Sequence, residues 1–431
     1  MKNLNSSLML YAFLMTTAFS LKGQFDCNGT RFLQNVFTSY DSTINVQYGQ
    51  NYNYLGNIQT LNLDIYEPSG DTASLRPLLI MVHGGNFLGG DKAQGDVAPL
   101  CREFAKKGYV TCSINYRVGM ENFPFPGPDS IDAAEAVYRA THDGRAAVRF
   151  FRKDVDQNGN TWKIDPDYIF FGGSSAGGLT ALHLAYMDEI AEIPSYIDTT
   201  KPGHGGGVSG LSGNPGYSSK VKAIINISGA LGDTAWMKPG DTPVLSFHGD
   251  QDGVVPFGSE MIYLLGQYPL LEVDGSYSVH AKAQELGLVN CFKPFWGADH
   301  TPHWGSSPDA PAYYDTTSSM TRDFLYHFVC SGPMPADCYQ IIGAEEMVRA
   351  GLNIISIYPN PASGTFKLHL DRKSFHEDIL INLLDYTGRI LRQYHMSTPE
   401  ITIDCSMFSK GLYFISTSID NEQYRQKLVL Q

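Results

Sequence analysis

The chain has 431 residues, which is more than one hydrophobic core usually organises and predicts two or three domains. Hydrophobic residues make up 43% of the chain, and acidic residues outnumber basic ones by 44 to 31, for a formal net charge of −13 at pH 7. A well-packed interior is therefore feasible, and an acidic surface without a basic run disfavours binding to nucleic acid.

The N-terminus has the pattern of a secretory signal peptide. Lys2 supplies positive charge, residues 8–19 form an apolar stretch, and small residues follow at Ser20 and Gly23. The apolar stretch is too short to cross a bilayer comfortably. We predict that residues 1–23 are removed, with cleavage after either Ser20 or Gly23, and we expect the mature protein to be a secreted monomer.

Strand-like and helix-like segments alternate along most of the chain that follows. Half-buried strands are predicted at 43–48 and 60–66, and continuous apolar runs predict fully buried strands at 77–82, 109–115, 168–171, 221–227 and 243–247. Helices are predicted at 97–107, 131–153, 177–190 and 257–268. This alternation predicts a doubly wound α/β domain over residues 24–330, with a mostly parallel sheet.

A G-x-S-x-G motif occupies residues 173–177, with Ser175 at its centre. An apolar strand precedes it and a helical pattern follows, which is the context that a nucleophile elbow requires. The glycines let the strand and the helix approach closely, and the helix N-terminus favours developing negative charge. Ser174 does not fit the motif because Ala176 lies two residues after it. We predict that Ser175 is the nucleophile.

The segment His83-Gly84-Gly85-Asn86 follows an apolar strand. Backbone N–H groups in such a loop stabilise the oxyanion of a tetrahedral intermediate. We predict oxyanion donors at Gly85 or Asn86, together with Ala176. We interpret His83 as a structural residue that holds the loop in place.

Two aspartates are candidates for the acid that orients the base. Asp250 and Asp252 both follow the predicted strand at 243–247. We favour Asp252, because residues 248–256 resemble a segment of many esterases and related peptidases in which the acid lies four residues after a histidine, here His248. The alternative role for Asp250 is a carboxylate that caps a turn.

Two histidines are candidates for the base, His300 and His303, and both follow an apolar segment that ends near Trp296. We favour His300 because it lies closer to the strand end. The order Ser175, Asp252, His300 along the chain is that of α/β-hydrolases. In this mechanism the histidine deprotonates the serine, the aspartate orients the imidazole, and no cofactor or metal is required.

Three further features have weaker patterns. Aromatic side chains on the loops 118–130, 231–242 and 253–277, chiefly Phe123 and Trp236, are predicted to contact the substrate, although ordinary core packing also explains them. The spacing of acidic and amide residues over 154–165 resembles a calcium loop, but a polar turn also explains it. Of the seven cysteines, Cys330 and Cys338 are the pair that we expect to form a disulfide bond.

On these motifs, residues 60–330 resemble the secreted carboxylesterase and feruloyl-esterase-like branch of the α/β-hydrolase superfamily. The resemblance implies that the mostly parallel sheet has eight strands. It also implies hydrolysis of carboxylic esters, with acyl esters on plant or algal polysaccharides as candidate substrates. The competing hypotheses are a serine peptidase of the prolyl-oligopeptidase type and a non-catalytic surface-binding protein with the same fold.

The last part of the chain resembles a second family. After a predicted linker at 331–350, short alternating strands over 351–431 predict a small β-sandwich. The segments IYPNPASGTF, DYTGRIL, KGLYFIS and QKLVLQ resemble the type A sorting domain of the type IX secretion system. The resemblance implies that the export machinery is a partner and that the protein lies outside the outer membrane of a Gram-negative bacterium.

Overall fold

A computed structural model of the protein describes residues 25–339, 355–370, 379–385, 389–419 and 422–431. The predicted signal peptide and residues 340–350 of the predicted linker lie outside the described residues. Within the described ranges, no helix is long and apolar enough to cross a membrane.

The first unit, residues 25–339, alternates strands and helices. Its strands are β1 (Tyr40–Tyr52), β2 (Ile58–Pro68), β3 (Arg76–Val82), β4 (Val110–Ile114), β5 (Ile164–Ser174), β6 (Ala223–Ile227), β7 (Ala230–Leu231), β8 (Val244–Gly249), β9 (Ser259–Leu264), β10 (Tyr268–Gly275) and β11 (Asn290–Phe295). Its α-helices are α1 (Ala98–Lys107), α2 (Ser130–Gln157), α3 (Ala176–Tyr186), α4 (Ser276–Glu285) and α5 (Ala310–Cys330). Short 3-10 helices lie at Ile190–Glu192, Gly207–Ser209 and Thr234–Trp236.

Eight of these strands form one sheet in the order β1-β2-β4-β3-β5-β6-β8-β11. The pairs β1–β2 and β2–β4 are antiparallel, and all the other neighbours are parallel. The predicted eight-stranded, mostly parallel sheet is thus confirmed. Parallel strands end at the same edge of a sheet, so the loops after β3, β5, β8 and β11 converge there.

Helices cover both faces of this sheet. In β3, Leu78 and Ile80 belong to one hydrophobic core, whereas Leu79 and Met81 belong to another. Helices α2, α3 and α4 contribute to the first core, and α1 and α5 contribute to the second. The continuous apolar runs follow from this arrangement, because successive side chains of a strand point to opposite faces and here both faces are buried.

Residues 257–268, predicted to be helical, contain a strand and the turn of a β-hairpin. Strands β9 and β10 pair antiparallel, and β10 also pairs with β7. The apolar residues of β9 and its turn imitate a helical spacing. However, Leu265 and Gly266 have positive φ angles of 53° and 69°, which reverse the chain as hairpin turns do. The prediction of a helix was therefore wrong, and the hairpin projects from the main sheet at the edge where the loops converge.

Disulfide bonds join Cys27 to Cys330 and Cys291 to Cys338. The predicted pairing of Cys330 with Cys338 was therefore wrong. These two cysteines are close in sequence, but Cys330 ends α5 beside the N-terminal segment, whereas Cys338 lies against β11. Residues 331–339 therefore do not extend away as a linker, because their last cysteine is bonded to the sheet.

The segment 154–165, with its calcium-like spacing, connects α2 to β5. Asp154 accepts a hydrogen bond from the Thr161 hydroxyl at 2.8 Å, and Asp156 accepts one from the Tyr217 hydroxyl at 2.7 Å. Both aspartates still belong to α2. Because these carboxylates bond to different neighbours, the arrangement favours the interpretation as a polar turn.

The C-terminal unit is a β-sandwich, as predicted. Its strands are β12 (Ile355–Ser363), β13 (Thr365–Leu370), β14 (Ile379–Asp385), β15 (Ile390–Met396), β16 (Glu400–Asp404), β17 (Gly411–Ile419) and β18 (Glu422–Leu430). They follow the order β15-β14-β17-β18-β12-β13-β16, and only β12–β18 is parallel among the described pairs. Phe366, Ile381, Ile415 and Leu428 lie in its buried core. This unit has its own core, separate from those of the first unit.

Candidate active site

Ser175 lies at the turn between β5 and α3, with φ of 54° and ψ of −117°. Few residues other than glycine adopt a positive φ, and those that do are often held at functional sites. A Cβ atom at Gly173 would lie 2.4 Å from the backbone of Gly177, and one at Gly177 would lie 2.0 Å from the carbonyl oxygen of Val82. The glycines of the motif are therefore required by the close approach of strand and helix.

A series of hydrogen bonds links Ser175, His300 and Asp252. The Ser175 Oγ atom lies 2.8 Å from His300 Nε2, and His300 Nδ1 lies 2.7 Å from Asp252 Oδ2. With its proton on Nδ1, the imidazole donates to the carboxylate and accepts from the serine hydroxyl. The three side chains come from the loops after β5, β8 and β11. The arrangement is suited to removing the proton of the serine.

The Asp252 side chain has no exposed surface. Burial alone would raise its pKa, but hydrogen bonds from His248 and His300 outweigh burial and hold the pKa well below its ordinary value. Its second oxygen accepts from the N–H groups of Val254 and Val255, both at 2.9 Å. Asp252 is therefore an ionised, fixed acceptor at neutral pH.

His248 is a second imidazole on the same carboxylate, which the sequence reasoning used only to locate Asp252. Its Nε2 atom lies 3.1 Å from Asp252 Oδ2, and its Nδ1 atom lies 2.6 Å from the Ser276 hydroxyl. The ring is fully buried. His248 thus contacts the same carboxylate oxygen of Asp252 as His300 does.

The alternative acid and base have other partners. Asp250 accepts hydrogen bonds from the Gly297 N–H and the Gln251 amide. His303 Nε2 donates to the carbonyl oxygen of Asp96 at 3.0 Å, and burial lowers the pKa of His303 to about 4. The structure therefore brings Asp252 and His300 to Ser175, while Asp250 and His303 bond to the surrounding loops.

The predicted oxyanion loop lies directly beside Ser175. Asn86 has a φ of 54°, and it lines the same cavity as Ser175 and Ala176. The N–H of Ala176 opens helix α3, where no preceding turn of helix supplies an acceptor. Gly85, with a φ of 125°, has its carbonyl oxygen engaged by the N–H of Leu88. Of the three predicted donor residues, Asn86 and Ala176 line the cavity beside Ser175.

His83 has the structural role expected of it. Its ring stacks on Tyr116 with centroids 4.6 Å apart, and its Nδ1–H donates to the Gly84 carbonyl at 2.6 Å. Burial lowers the pKa of His83, so the ring stays neutral. These two contacts hold the predicted oxyanion loop in place.

Two parts of the chain match known protein families. Residues 63–231, which include β3 and the Ser175 turn, match the family model described as BD-FAE. The chain carries a BD-FAE α/β-hydrolase domain. Residues 356–431 match a second model, described as a secretion system C-terminal sorting domain. A sorting domain of this type indicates a protein secreted by the type IX system to the cell surface or the extracellular space.

Curated relatives of the BD-FAE domain are esterases. Gut esterase 1 of Caenorhabditis elegans is 26% identical over 29% of this chain and 20% of its own length. Carboxylesterase 3B of Mus musculus is 30% identical over 28% of this chain and 19% of its own length. The chain thus spans about a fifth of the length of these relatives. Esterase 2 of Thermogutta terrifontis, solved after phosphoramylation by tabun, is 21% identical and covers 67% of this chain and 94% of its own, with a TM-score of 0.46.

Asp96 is a residue of the BD-FAE domain that the sequence reasoning missed. Its Oδ2 atom accepts the Gly84 N–H at 2.7 Å, and its backbone carbonyl accepts from His303. It therefore connects the oxyanion loop with the loop that carries His300. Asp96 follows no recognisable local motif, so only the folded arrangement reveals it.

Replacing Asp96 with asparagine should stabilise the protein at alkaline pH. Burial raises the pKa of Asp96 to about 6, from 3.8. The folded state therefore holds the proton more tightly than the unfolded chain, and stability declines as the pH rises from about 4 to about 6. We expect Asp96→Asn, which keeps an acceptor for Gly84, to be more stable than wild type at about pH 8 by up to roughly 3 kcal/mol, and to lose this advantage below about pH 4.

Urea unfolding at the two pH values measures this difference. Asp91→Asn, on the same loop but exposed, serves as the control and should show no such gain at alkaline pH, because the pKa of Asp91 is lowered rather than raised. An Asp96→Asn protein whose stability difference from wild type did not change with pH would contradict the prediction.

The cavity beside Ser175 has a volume of about 230 Å³ and is lined mostly by aliphatic side chains. The hairpin β9–β10 contributes much of its wall, including Leu264 and Leu271. The aromatic lining residues of the cavity are Phe87 and Tyr263. The hairpin thus forms one wall of the cavity, and it contains most of the segment 257–268 that was predicted to be a helix.

Neither Phe123 nor Trp236 is among the described residues that line this cavity, and their contact with the substrate stays a prediction. Phe123 is 39% exposed in a turn before α2. Trp236 packs edge-on against the His183 ring, 5.6 Å away, and lines a separate cavity of about 80 Å³. The intervening wall is formed by α2 and by the hairpin.

Proposed function

We propose that this protein is a secreted serine hydrolase of carboxylic esters, with Ser175 as nucleophile, His300 as general base and Asp252 as the orienting acid. The observation that supports this proposal is the continuous series of hydrogen bonds from Ser175 Oγ through His300 to Asp252, at 2.8 and 2.7 Å. Such a series next to a helix N-terminus is the arrangement that acyl transfer to serine requires.

Acylation begins when Ser175 Oγ attacks the carbonyl carbon of the ester. His300 Nε2 takes the hydroxyl proton, and Asp252 stabilises the imidazolium that forms. The negative charge that develops on the carbonyl oxygen is met by the N–H of Ala176 and by an N–H of Gly85 or Asn86. The bond to the alcohol oxygen then breaks as His300 returns its proton to that oxygen.

Deacylation repeats these steps with water. His300 takes a proton from the water molecule, whose oxygen attacks the acyl carbon, and the proton is then delivered to Ser175 Oγ. The carboxylic acid leaves and the enzyme returns to its starting state. The ionised Asp252 stabilises the imidazolium during both acylation and deacylation.

Acyl esters on plant or algal polysaccharides are the substrates that we propose for this reaction in the organism. Secretion by a sorting domain would bring the enzyme to such polymers. The alcohol side of the site also suits a large leaving group, because the His300 side chain is 17% exposed, whereas Asp252 lies fully covered beneath it. A polymer chain can therefore remain in solvent while its acyl group enters the site.

Assays on model substrates test the proposal. We expect the purified protein to hydrolyse p-nitrophenyl acetate and butyrate and to leave aminoacyl p-nitroanilides uncleaved. A preference for the anilides would favour the serine peptidase hypothesis, and no hydrolysis of either class would favour the non-catalytic binding protein. Release of acetate from acetylated xylan, compared with chemically deacetylated xylan, tests the polysaccharide substrate.

A further inference from the structure

The cavity beside Ser175 lies on one side of the nucleophile. Its lining includes Asn86 and Ala176, which in the proposed mechanism border the carbonyl oxygen of the substrate. His300 is not among the described residues that line it. The leaving alcohol must lie next to His300, since this residue returns the proton to its oxygen. The cavity therefore extends from the acyl side of the ester.

The inner wall of the cavity is aliphatic and buried. Met120, Val137, Leu179, Leu264 and Leu270 all line it, and each is at most 5% exposed. Its volume of about 230 Å³ exceeds the roughly 150 Å³ of an apolar protein cavity known to admit benzene. The space is large enough for an alkyl chain of several carbons.

The wall offers few partners to a polar acyl group. Among the described residues of the lining, the polar side chains are Asn86 and Ser175, next to the ester, and Tyr263, which is 50% exposed. A phenolic hydroxyl placed among the aliphatic side chains would lose its hydrogen bonds to water without replacement. The lining thus favours an alkyl chain over a hydroxylated aromatic acid.

Leu271 separates this cavity from a second one. The second cavity, of about 80 Å³, is lined by Trp236, His183 and Tyr138 among others. Leu271 of the hairpin and Val137 of α2 line both cavities, so these two side chains form the partition. The partition ends the space available to an acyl chain.

The base of the hairpin fixes the position of this partition. Asp274 accepts hydrogen bonds from the N–H and the hydroxyl of Thr234, at 2.7 and 2.8 Å, and pairs in the sheet with Leu231 of β7. The tip, in contrast, exposes 73% of Leu265. Leu271 therefore lies on β10, between the exposed tip of the hairpin and its base, which the hydrogen bonds of Asp274 hold in place.

We propose that the cavity binds an unbranched aliphatic acyl chain and that Leu271 sets its maximum length. This inference rests on the proposed ester hydrolysis and specifies its acyl group. Each further methylene that is buried improves kcat/KM about fourfold, until the chain reaches the partition. Removal of the partition adds the volume of the second cavity to the path of the chain.

The test is the dependence of kcat/KM on acyl length, measured with p-nitrophenyl esters from acetate to dodecanoate. We expect wild type to prefer chains of about four to eight carbons. Leu271→Ala should raise the ratio of kcat/KM for dodecanoate to that for butyrate by at least about tenfold. Ethyl ferulate should be hydrolysed with less than about a tenth of the kcat/KM of ethyl hexanoate.

Two variants keep this test interpretable. Leu211→Ala removes a leucine that is 63% exposed and lies outside the lining of either cavity, and it should leave the chain-length profile unchanged. Val137→Ala opens the same partition from α2 and should shift the profile in the same direction as Leu271→Ala. A profile that neither partition variant moved, or a preference for ethyl ferulate, would overturn the assignment.

Failure of the proposed function has a different signature. Wild-type protein that hydrolysed none of these esters would overturn ester hydrolysis itself. Ser175→Ala protein then still decides the acyl assignment by calorimetry, since it should bind p-nitrophenyl hexanoate with a Kd at least about tenfold lower than that for p-nitrophenyl acetate. Equal Kd values for the two esters would overturn the assignment of an aliphatic acyl chain, whatever the activity.

Discussion

Replacing Ser175 with alanine should lower kcat for p-nitrophenyl butyrate by roughly 10⁴- to 10⁶-fold while the protein remains folded. The alanine side chain cannot form the acyl-enzyme, so only binding and oxyanion stabilisation would remain. The hydrogen bond from the Ser175 hydroxyl to His300 would also be lost. Thermal unfolding should show a change of only a few degrees, because no buried packing is removed.

The neighbouring serine provides a matched control. Ser174 is fully buried at the end of β5, one residue before the nucleophile. Ser174→Ala should keep kcat within about threefold of wild type, since the substitution removes one hydroxyl that the proposed chemistry does not use. A Ser175→Ala protein with a kcat within tenfold of wild type would rule out the mechanism.

Replacing Asp252 with asparagine should lower kcat by about 10⁴-fold. An amide cannot stabilise the imidazolium as a carboxylate does, and it favours the tautomer of His300 that presents a proton, rather than a lone pair, to Ser175. The substitution should also cost stability at neutral pH. Because the folded pKa of Asp252 lies below its ordinary value, the ionised carboxylate contributes stability above about pH 4, and that contribution is lost as the pH falls through the folded pKa.

Asp250→Asn is the control for this change. Asp250 is two residues away, carries the same charge and holds the Gly297 N–H rather than His300. We expect its kcat to stay within about threefold of wild type, since asparagine can still accept that hydrogen bond. If Asp250→Asn lost as much activity as Asp252→Asn, the assignment of the acid would be mistaken. Rates at saturating substrate, together with unfolding at neutral and acidic pH, give both readouts.

The proposed catalytic residues could be located in the sequence because each lies in a short contiguous motif near a strand end, whereas Asp96 lies in no such motif. Ser175 follows β5 directly and Asn86 lies four residues after the end of β3, so the parallel sheet brings the two together. Charge could not separate Asp252 from Asp250, and only the position of Asp252 four residues after His248 favoured it. Their difference arises from the loop after β11, which places His300 against one carboxylate and Gly297 against the other.

The walls of the site could not be predicted, since they depend on long-range pairing. Residues 259–264 have an apolar spacing that suits a helix as well as a strand, and their pairing with β10 decides the outcome. The need for a glycine at position 249 also arises from a contact with a residue distant in the sequence. A Cβ atom at that position would lie 2.3 Å from the Ala298 carbonyl, so the glycine is needed for the approach of the loop that carries His300.

The hairpin β9–β10 separates the selection of substrate from the chemistry. It lies between Asp252 and α4 in the chain and contributes none of the proposed catalytic side chains. The whole hairpin is one continuous segment, residues 259–275. New acyl preferences could therefore arise through substitutions within this segment while the reacting groups stay unchanged. For protein engineering, the hairpin is therefore the segment to vary when the acyl preference is to be changed and the catalytic residues are to be kept.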